Sequence, residues 1–381
     1  MSGSPTILLA VHVAAAALLL GCGGAGDSPD DGEHTESVGG STAGEGGGDG
    51  GALATGGSDS PNDGGFAGTA GAGEGGSDPV SGVKHNPGHY ISMRPTDGDA
   101  EILDSLRPGV RGVQIRYTWR SLEPTQGVYD LGELQSDLDL LAGEGKHLIA
   151  LVEDKSFDGS MPTPDYLSAY TLPNTPGGYT VARWDPFVVD RLEALMQALG
   201  ARFDAHPGLE AVGIQETALG VSPQQRADHG YTPEAYRDGQ IQLLTTMKVA
   251  LPSSQVFWYM NFFAEHQSYI GDIAAAVAPL GVSMGGPDIL PESPSLLTHV
   301  YPLYEQFAGS MQLFCSAQYD SYEHVKSSTG DFYTPAEIFE YGRDTLQVSY
   351  VLWNHKTWST PAGSYNWLDA LPVIDQNRTF N

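Results

Sequence analysis

From about residue 86 the chain alternates short apolar runs with amphipathic stretches. The apolar runs are "HYISMR" (89–94), "VRGVQIRYTW" (110–119), "KHLIALVED" (146–154), "LEAVGIQE" (209–216), "QVFWYMNFF" (255–263), "LGVSMGG" (280–286), "MQLFCSAQYD" (311–320) and "VSYVLWNH" (348–355), eight in all. Each reads as a strand by length and by its β-branched and aromatic content. Between them apolar residues recur at helical spacing: Leu134, Leu138 and Leu141, then Val188, Leu192, Leu195, Met196, Leu199 and Phe203. Thr334-Pro335 with Glu337 predicts an N-cap, a first-turn proline and a capping-box acid; Thr232-Pro233 and Asp185-Pro186 repeat the cap-plus-proline signal. Eight strand–helix units over 83–381 predict an α/β chain closed into a single (β/α)8 barrel, near the usual ~250 residues plus insertions. No G-x-G-x-x-G follows the first strand, which disfavours a doubly wound dinucleotide-binding sheet; no cofactor is implied.

Composition changes the picture upstream of that domain. The chain has 381 residues, yet 1–82 contain no Lys or Arg, and the first basic residue is Lys84. Residues 7–20, "ILLAVHVAAAALLL", are too short for a bilayer span and suit the core of a signal peptide. They run into "LLGC" (19–22), which resembles the bacterial lipobox. That resemblance implies a signal peptide over 1–21, lipidation of Cys22 and an envelope location, either anchored to a membrane or at the cell surface. The alternative is an ordinary secretory signal with Cys22 incidental. Residues 22–82, as in "GEGGGDGGALATGGSDS", offer few side chains for a core and predict a disordered linker. Cys315, the other cysteine, lies in an apolar run and reads as a buried thiol.

The net charge of −29 argues against nucleic acid and against anionic substrates, while a neutral sugar polymer is compatible with it. In a (β/α)8 barrel, chemistry is built where strands end. The strand tips offer Arg116 and Trp119, then Glu153, Asp154 and Lys155, then Gln215 and Glu216, then Asn261 with Glu265 and His266. Further tips offer Asp288, then Gln318 and Asp320, then Trp353, Asn354 and His355. Glu216 stands out because it closes the apolar run "AVGI", where a carboxylate without a partner is costly. Carboxyls among aromatic rings suit hydrolysis of a glycosidic bond, in which one carboxyl protonates the leaving oxygen and another attacks or activates water. The structural alternative is that the tip carboxylates are salt-bridged to Arg116, Lys155 or Arg183 and the tryptophans fill the core.

Residues 119–154, "WRSLEPTQGVYDLGELQSDLDLLAGEGKHLIALVED", resemble the second and third βα units of clan A glycoside hydrolases, with Glu123, Pro124, Gly127, Tyr129 and Asp130 matching that pattern. "IQE" (214–216) is similar to the clan's Asn-Glu pair, and the resemblance implies that Glu216 is the general acid/base. Trp353 resembles the aromatic platform under the bound sugar. Two positions depart from the clan: Gln215 replaces its Asn, and Gln318 occupies the natural place of its nucleophilic Glu. Asp320, two residues on, is the expected second carboxylate, with Glu153, Asp154 and Asp288 in reserve. Arg116, Trp119, Glu153, Asp154, Gln215, Asn261, Asp288, Gln318, Trp353 and His355 are the expected substrate contacts.

The functional expectation is a surface-anchored, monomeric glycoside hydrolase acting on a neutral poly- or oligosaccharide. Gln318 favours the alternative of a non-catalytic polysaccharide-binding lipoprotein on a degenerate barrel. A metal-dependent hydrolase using His85, His89, His266 or His355 ranks last, since there is no H-E-x-x-H and no H-x-H at the first strand.

Overall fold

The structure, a computed structural model, describes residues 82–379 apart from 95, 96 and 176. The signal-peptide run, Cys22 and all but the last residue of the Gly-rich segment lie outside the described residues.

The strands in chain order are β1 (Gly88–Met93), β2 (Val110–Thr118), β3 (His147–Glu153), β4 (Thr171–Pro173), β5 (Tyr179–Val181), β6 (Leu209–Ile214), β7 (Gln255–Tyr259), β8 (Ser283–Gly286), β9 (Leu313–Ala317) and β10 (Tyr350–Asn354). Eight of them close a barrel in the order β1-β10-β9-β8-β7-β6-β3-β2, and every pairing in it is parallel. These are the eight runs read from the sequence. A helix follows each barrel strand before the next begins, as in Gly132–Gly143 after β2, Pro186–Phe203 after β3 and Pro233–Ala250 after β6.

The helices start where their caps dictate. Asp185 accepts from Phe187 N–H at 2.9 Å, Thr232 from Ala235 N–H at 3.0 Å, and Thr334 with Glu337 forms a reciprocal capping box. The faces of the periodic leucines are sealed against the barrel: Leu134, Leu138, Leu141, Leu192, Leu195 and Leu199 are all essentially inaccessible. One insertion has no sequence signal. Between β3 and Pro186 the chain makes a six-residue 3-10 helix (Asp165–Tyr170) and the small antiparallel hairpin β4–β5, whose strands of three residues are too short to show a period.

Side chains alternate between barrel interior and helix layer. The interior holds Tyr90, Ile149, Leu151, Ala211, Phe257, Tyr259, Phe314, Tyr350 and Leu352. Phe314 stacks on Tyr350 at 4.0 Å and on Phe257 at 4.7 Å. Gly213 makes room for that stack, since a Cβ there would lie 2.3 Å from the Phe257 ring. The N-terminal end is plugged by Glu210, which accepts from Asn86 N–H at 2.7 Å, Asn86 Nδ2 at 2.8 Å and Tyr350 O–H at 2.6 Å. Toward the other end lies a buried polar layer. Ser92 donates to Gln114, Gln114 to the Tyr259 hydroxyl, and Tyr259 pairs with Ser316, at 2.8, 2.8 and 3.0 Å. The interior residues one step beyond that layer face the barrel mouth.

The sequence overextends several strands at this mouth. β9 stops at Ala317, β7 at Tyr259 and β6 at Ile214, because the chain leaves the ladder to enter the loops. Asp320 therefore sits in a turn and does not continue the strand.

Candidate active site

Following the alternation up from the buried layer, Arg116 lies near the end of β2, Glu153 ends β3, and Gln215, Asn261 and Gln318 stand just past β6, β7 and β9. Glu216, Asp288 and Asp320 come from the loops after β6, β8 and β9. The Glu216 and Asp320 charges both act on Asp288, and so does the opposing charge of Arg116. These groups form one site at the carboxyl-terminal mouth.

Glu216 is gripped on both oxygens. Lys155 Nζ donates to Oε1 at 2.5 Å, and Asn261 Nδ2 donates to Oε2. Lys155 is itself buried, donates also to the Ala218 carbonyl at 2.6 Å and lies 4.8 Å over the Phe157 ring. Burial pushes the Lys155 ammonium below its ordinary range, and the Glu216 charge opposes that shift. Beneath this pair, Arg183 donates to the backbone carbonyls of Gln215, at 3.0 Å, and of Glu216. Its Nε lies 3.0 Å from Asp154 Oδ2, an ion pair without hydrogen-bond alignment. Gln215 staples β3 to β6: its Oε1 accepts from the N–H of Asp154 (3.1 Å) and Lys155 (2.7 Å), and its Nε2 donates to Glu153 at 3.3 Å. Gln215 and Asp154, both buried, thus serve the frame of the site and not its open face.

Arg116 spans the mouth. It donates to Glu153 at 3.5 Å and to Gln318 at 3.3 Å. Burial raises the Glu153 carboxyl, with Arg116 pulling it back down. All three cationic partners weighed from the sequence are engaged: Arg116 with Glu153, Lys155 with Glu216 and Arg183 with Asp154.

The Asp320 carboxyl lies within electrostatic reach of Asp288. Burial raises Asp288 well above the carboxylate range, and the Asp320 and Glu216 charges add to it. Burial also raises Asp320, to about 6, despite the 3.1 Å hydrogen bond from Ser321 N–H. The Tyr322 hydroxyl does not reach Asp320; it donates to the Asn354 carbonyl at 3.2 Å. A raised folded-state pKa contributes stability that is full below the unfolded value of about 3.9 and is lost as pH rises through the folded one. Asp320→Asn should therefore stabilise the fold by about 1–3 kcal/mol at pH 8, with the gap closing below pH ~4. Thermal melts of both proteins across that range check it; an equal or lower midpoint for the variant at pH 8 contradicts it.

Two expected aromatic contacts are placed elsewhere. Trp353 is wholly buried and points into the helix layer, where its Nε1 donates to His89 Nδ1 at 3.0 Å. Trp119 is wholly buried and donates to Glu123 at 2.9 Å. Neither can stack on a sugar. His355 is also withdrawn, 3.8 Å from Asp97 Oδ2 and 4.8 Å from the Trp367 ring. Of the tryptophans at 119, 184, 258, 353 and 358, only Trp358 is open, at 45% exposure. It belongs to a set of exposed rings on loops after barrel strands: Phe157 after β3, Phe262 after β7, Tyr319 after β9 and Trp358 after β10. Their signal in the sequence is an aromatic residue in the loop just past a strand, not within the strand. A concavity of roughly 480 Å³ between the loops after β9 and β10 is lined by Lys326, Phe332, Thr334 and Tyr365 among others; none of the three carboxyls lines it. Among the described residues no group of three His, Cys, Asp or Glu side chains is arranged to hold a metal ion.

The architecture has counterparts among solved structures. No family model matches the chain, and no curated protein matches it. Solved structures do. The chain is similar to endo-glycoceramidase II from Rhodococcus sp., at 11% identity and a TM-score of 0.50 over 76% of this chain and 79% of that one. It is similar to the β-galactosidase of the psychrophilic Marinomonas ef1, at 10% identity and a TM-score of 0.50 over 76% of this chain and 59% of that one. These neighbours are clan A glycoside hydrolases, and the likeness shows a shared eight-stranded parallel barrel.

Proposed function

We propose that this protein is a glycoside hydrolase cleaving a neutral poly- or oligosaccharide, held at the bacterial cell envelope through a lipidated Cys22. The observation that carries the activity is the convergence of Glu216, Asp288 and Asp320 on one barrel mouth beside Arg116. Hydrolysis of a glycosidic bond needs one protonated and one ionised carboxyl on either side of the bond. The site offers carboxyls in contrasting surroundings: Asp288 and Asp320, both raised by burial, and Glu216, paired with Lys155. The exposed rings around the mouth supply flat apolar faces for pyranose rings, and Trp358 is the widest of them. The apolar run ending at Cys22 supports the anchor.

Incubating the soluble domain with a panel of neutral polysaccharides and measuring new reducing ends tests the activity. Gln318 in the place of a nucleophile supports the second reading, a polysaccharide-binding barrel without catalysis; binding with no reducing ends on any substrate would favour it. Under either reading Trp358→Ala should weaken polysaccharide binding ~5–20-fold, about 1–2 kcal/mol of lost apolar contact. Its melting temperature should stay put because the ring is exposed. Titration against the preferred polymer reads this, and unchanged affinity removes Trp358 from the binding face.

A further inference from the structure

We infer that the insertion after β3 builds the sugar subsite adjoining Glu216, with the exposed ring of Phe157 as the platform for one pyranose ring of a neutral chain; this deepens the hydrolase reading above and rests on it. A short run of contacts joins ring to carboxyl. Lys155 Nζ lies 4.8 Å over the Phe157 ring and 2.5 Å from Glu216 Oε1. Lys155 is buried, so it backs one face of the ring from within. Phe157 still keeps 44% of its surface open, on the other face and the edges. The Glu216 side chain, at 14% exposure, also reaches solvent. A flat apolar face close to a reachable carboxyl fits a sugar: C–H groups of a pyranose stack on the ring while hydroxyls and the bridging oxygen meet the polar group.

The insertion fixes the backbone that carries this ring. Ser156 N–H donates to the Tyr179 carbonyl at 2.8 Å, Tyr179 N–H to Ser156 Oγ at 3.1 Å, and Ser156 Oγ to the Ser160 carbonyl at 2.6 Å. Asn174 Nδ2 donates to the Ser156 carbonyl at 3.0 Å. The two backbones approach so closely that a Cβ on Gly178 would lie 2.0 Å from the Ser156 carbonyl oxygen and 2.7 Å from Phe157 N, a spacing only glycine allows. Phe157 is thus presented by the β4–β5 hairpin and not by a free loop.

The same hairpin braces the loop after β6. Thr180 Oγ1 donates to the Leu219 carbonyl at 2.7 Å, Thr175 N–H to the Gly220 carbonyl at 2.8 Å, and Lys155 Nζ to the Ala218 carbonyl at 2.6 Å. Platform and carboxyl therefore sit on one braced unit at a set spacing. The barrel does not need that unit to close, because β3 and β6 pair directly. What the insertion adds is a wall beside Glu216, with an aromatic face on it.

Kinetics and binding on the full folded domain test this together. The probes are the neutral polysaccharide that the wild type cleaves best and the shortest oligosaccharide of it that is still cleaved. A subsite adjoining the scissile bond is filled by both, so Phe157→Ala should lower kcat/KM ~10-fold on each, while Phe157→Tyr, which keeps the ring, stays within ~3-fold of the wild type. Titration of the oligosaccharide into Glu216→Gln with and without Phe157→Ala should show the same ~10-fold loss of affinity, at an unchanged melting temperature. Full cleavage and binding by Phe157→Ala overturns the subsite and leaves the hydrolase reading standing. Loss confined to the long polymer moves the ring away from the scissile bond and overturns its place beside Glu216. If the wild type cleaves no polymer but binds one, and Phe157→Ala weakens that binding, the sugar platform stands and the hydrolase reading is rejected. Neither binding nor cleavage of any polymer rejects both.

Discussion

Glu216→Gln should lower kcat on a natural polysaccharide by about 10³–10⁴-fold, the scale expected when an acid–base or nucleophilic carboxyl is removed. The change is close to isosteric. The glutamine oxygen can still accept from either Lys155 or Asn261, so the site keeps its shape. What is lost is the carboxyl group that the proposed chemistry uses. A cost also falls on Lys155, which is buried with the Ala218 carbonyl as its remaining partner. Burial already drives that lysine toward the neutral form, so it can shed its proton instead of remaining an unpaired charge. The fold should survive with a modest drop in melting temperature. Kinetics alongside a thermal melt separate this from unfolding; a well-folded variant that retains more than a tenth of the activity removes Glu216 from the chemistry.

Glu123→Ala should cost the fold about 3–5 kcal/mol, the range for removing one partner of a buried ion pair. Glu123 is wholly buried and is the hub of the segment that carries the glycosidase-like pattern. It accepts from Trp119 Nε1 at 2.9 Å, Tyr166 O–H at 2.8 Å and Gly127 N–H at 2.7 Å, and it pairs with Arg191. Arg191 comes from the helix after the β4–β5 insertion and donates as well to Tyr129 at 3.3 Å. The knot thus joins the loop after β2, the insertion and the helix Pro186–Phe203. Truncating Glu123 strands an arginine, an indole N–H and a phenol together. Denaturant melts measure the loss; a change under ~1 kcal/mol would mean that water replaces the carboxylate and the knot is not structural.

The Glu123 knot marks how far the sequence is legible. The W…EP…G-x-Y-D pattern in 119–154 pointed to the right barrel, but Trp119 and Glu123 are its architecture and not its chemistry. Strand number and helix starts could be read because they are local: a period, a cap, a proline. The direction of a side chain at a barrel strand was harder. "VSYVLWNH" is apolar on both faces, as strands covered on both sides must be, so nothing in it says that Leu352 points inward and Trp353 outward. Extending β9 to reach Asp320 fails because β9 ends at Ala317 and the residue falls in the turn that follows. Asp288 and Asp320 stand 32 positions apart on two irregular loops, so nothing periodic in the sequence brings them to one mouth. The grip of Lys155 on Glu216 was foreseeable only as one of several ion pairs available at the mouth.

The central claim is that the carboxyls at this mouth break glycosidic bonds. Reducing-end release from neutral polysaccharides, measured side by side for the wild-type domain and Glu216→Gln, tests it most directly. The account predicts new reducing ends from at least one polymer with the wild type and near-background release with the variant. Equal release by both proteins, or tight binding of a polymer with no release by either, would contradict it.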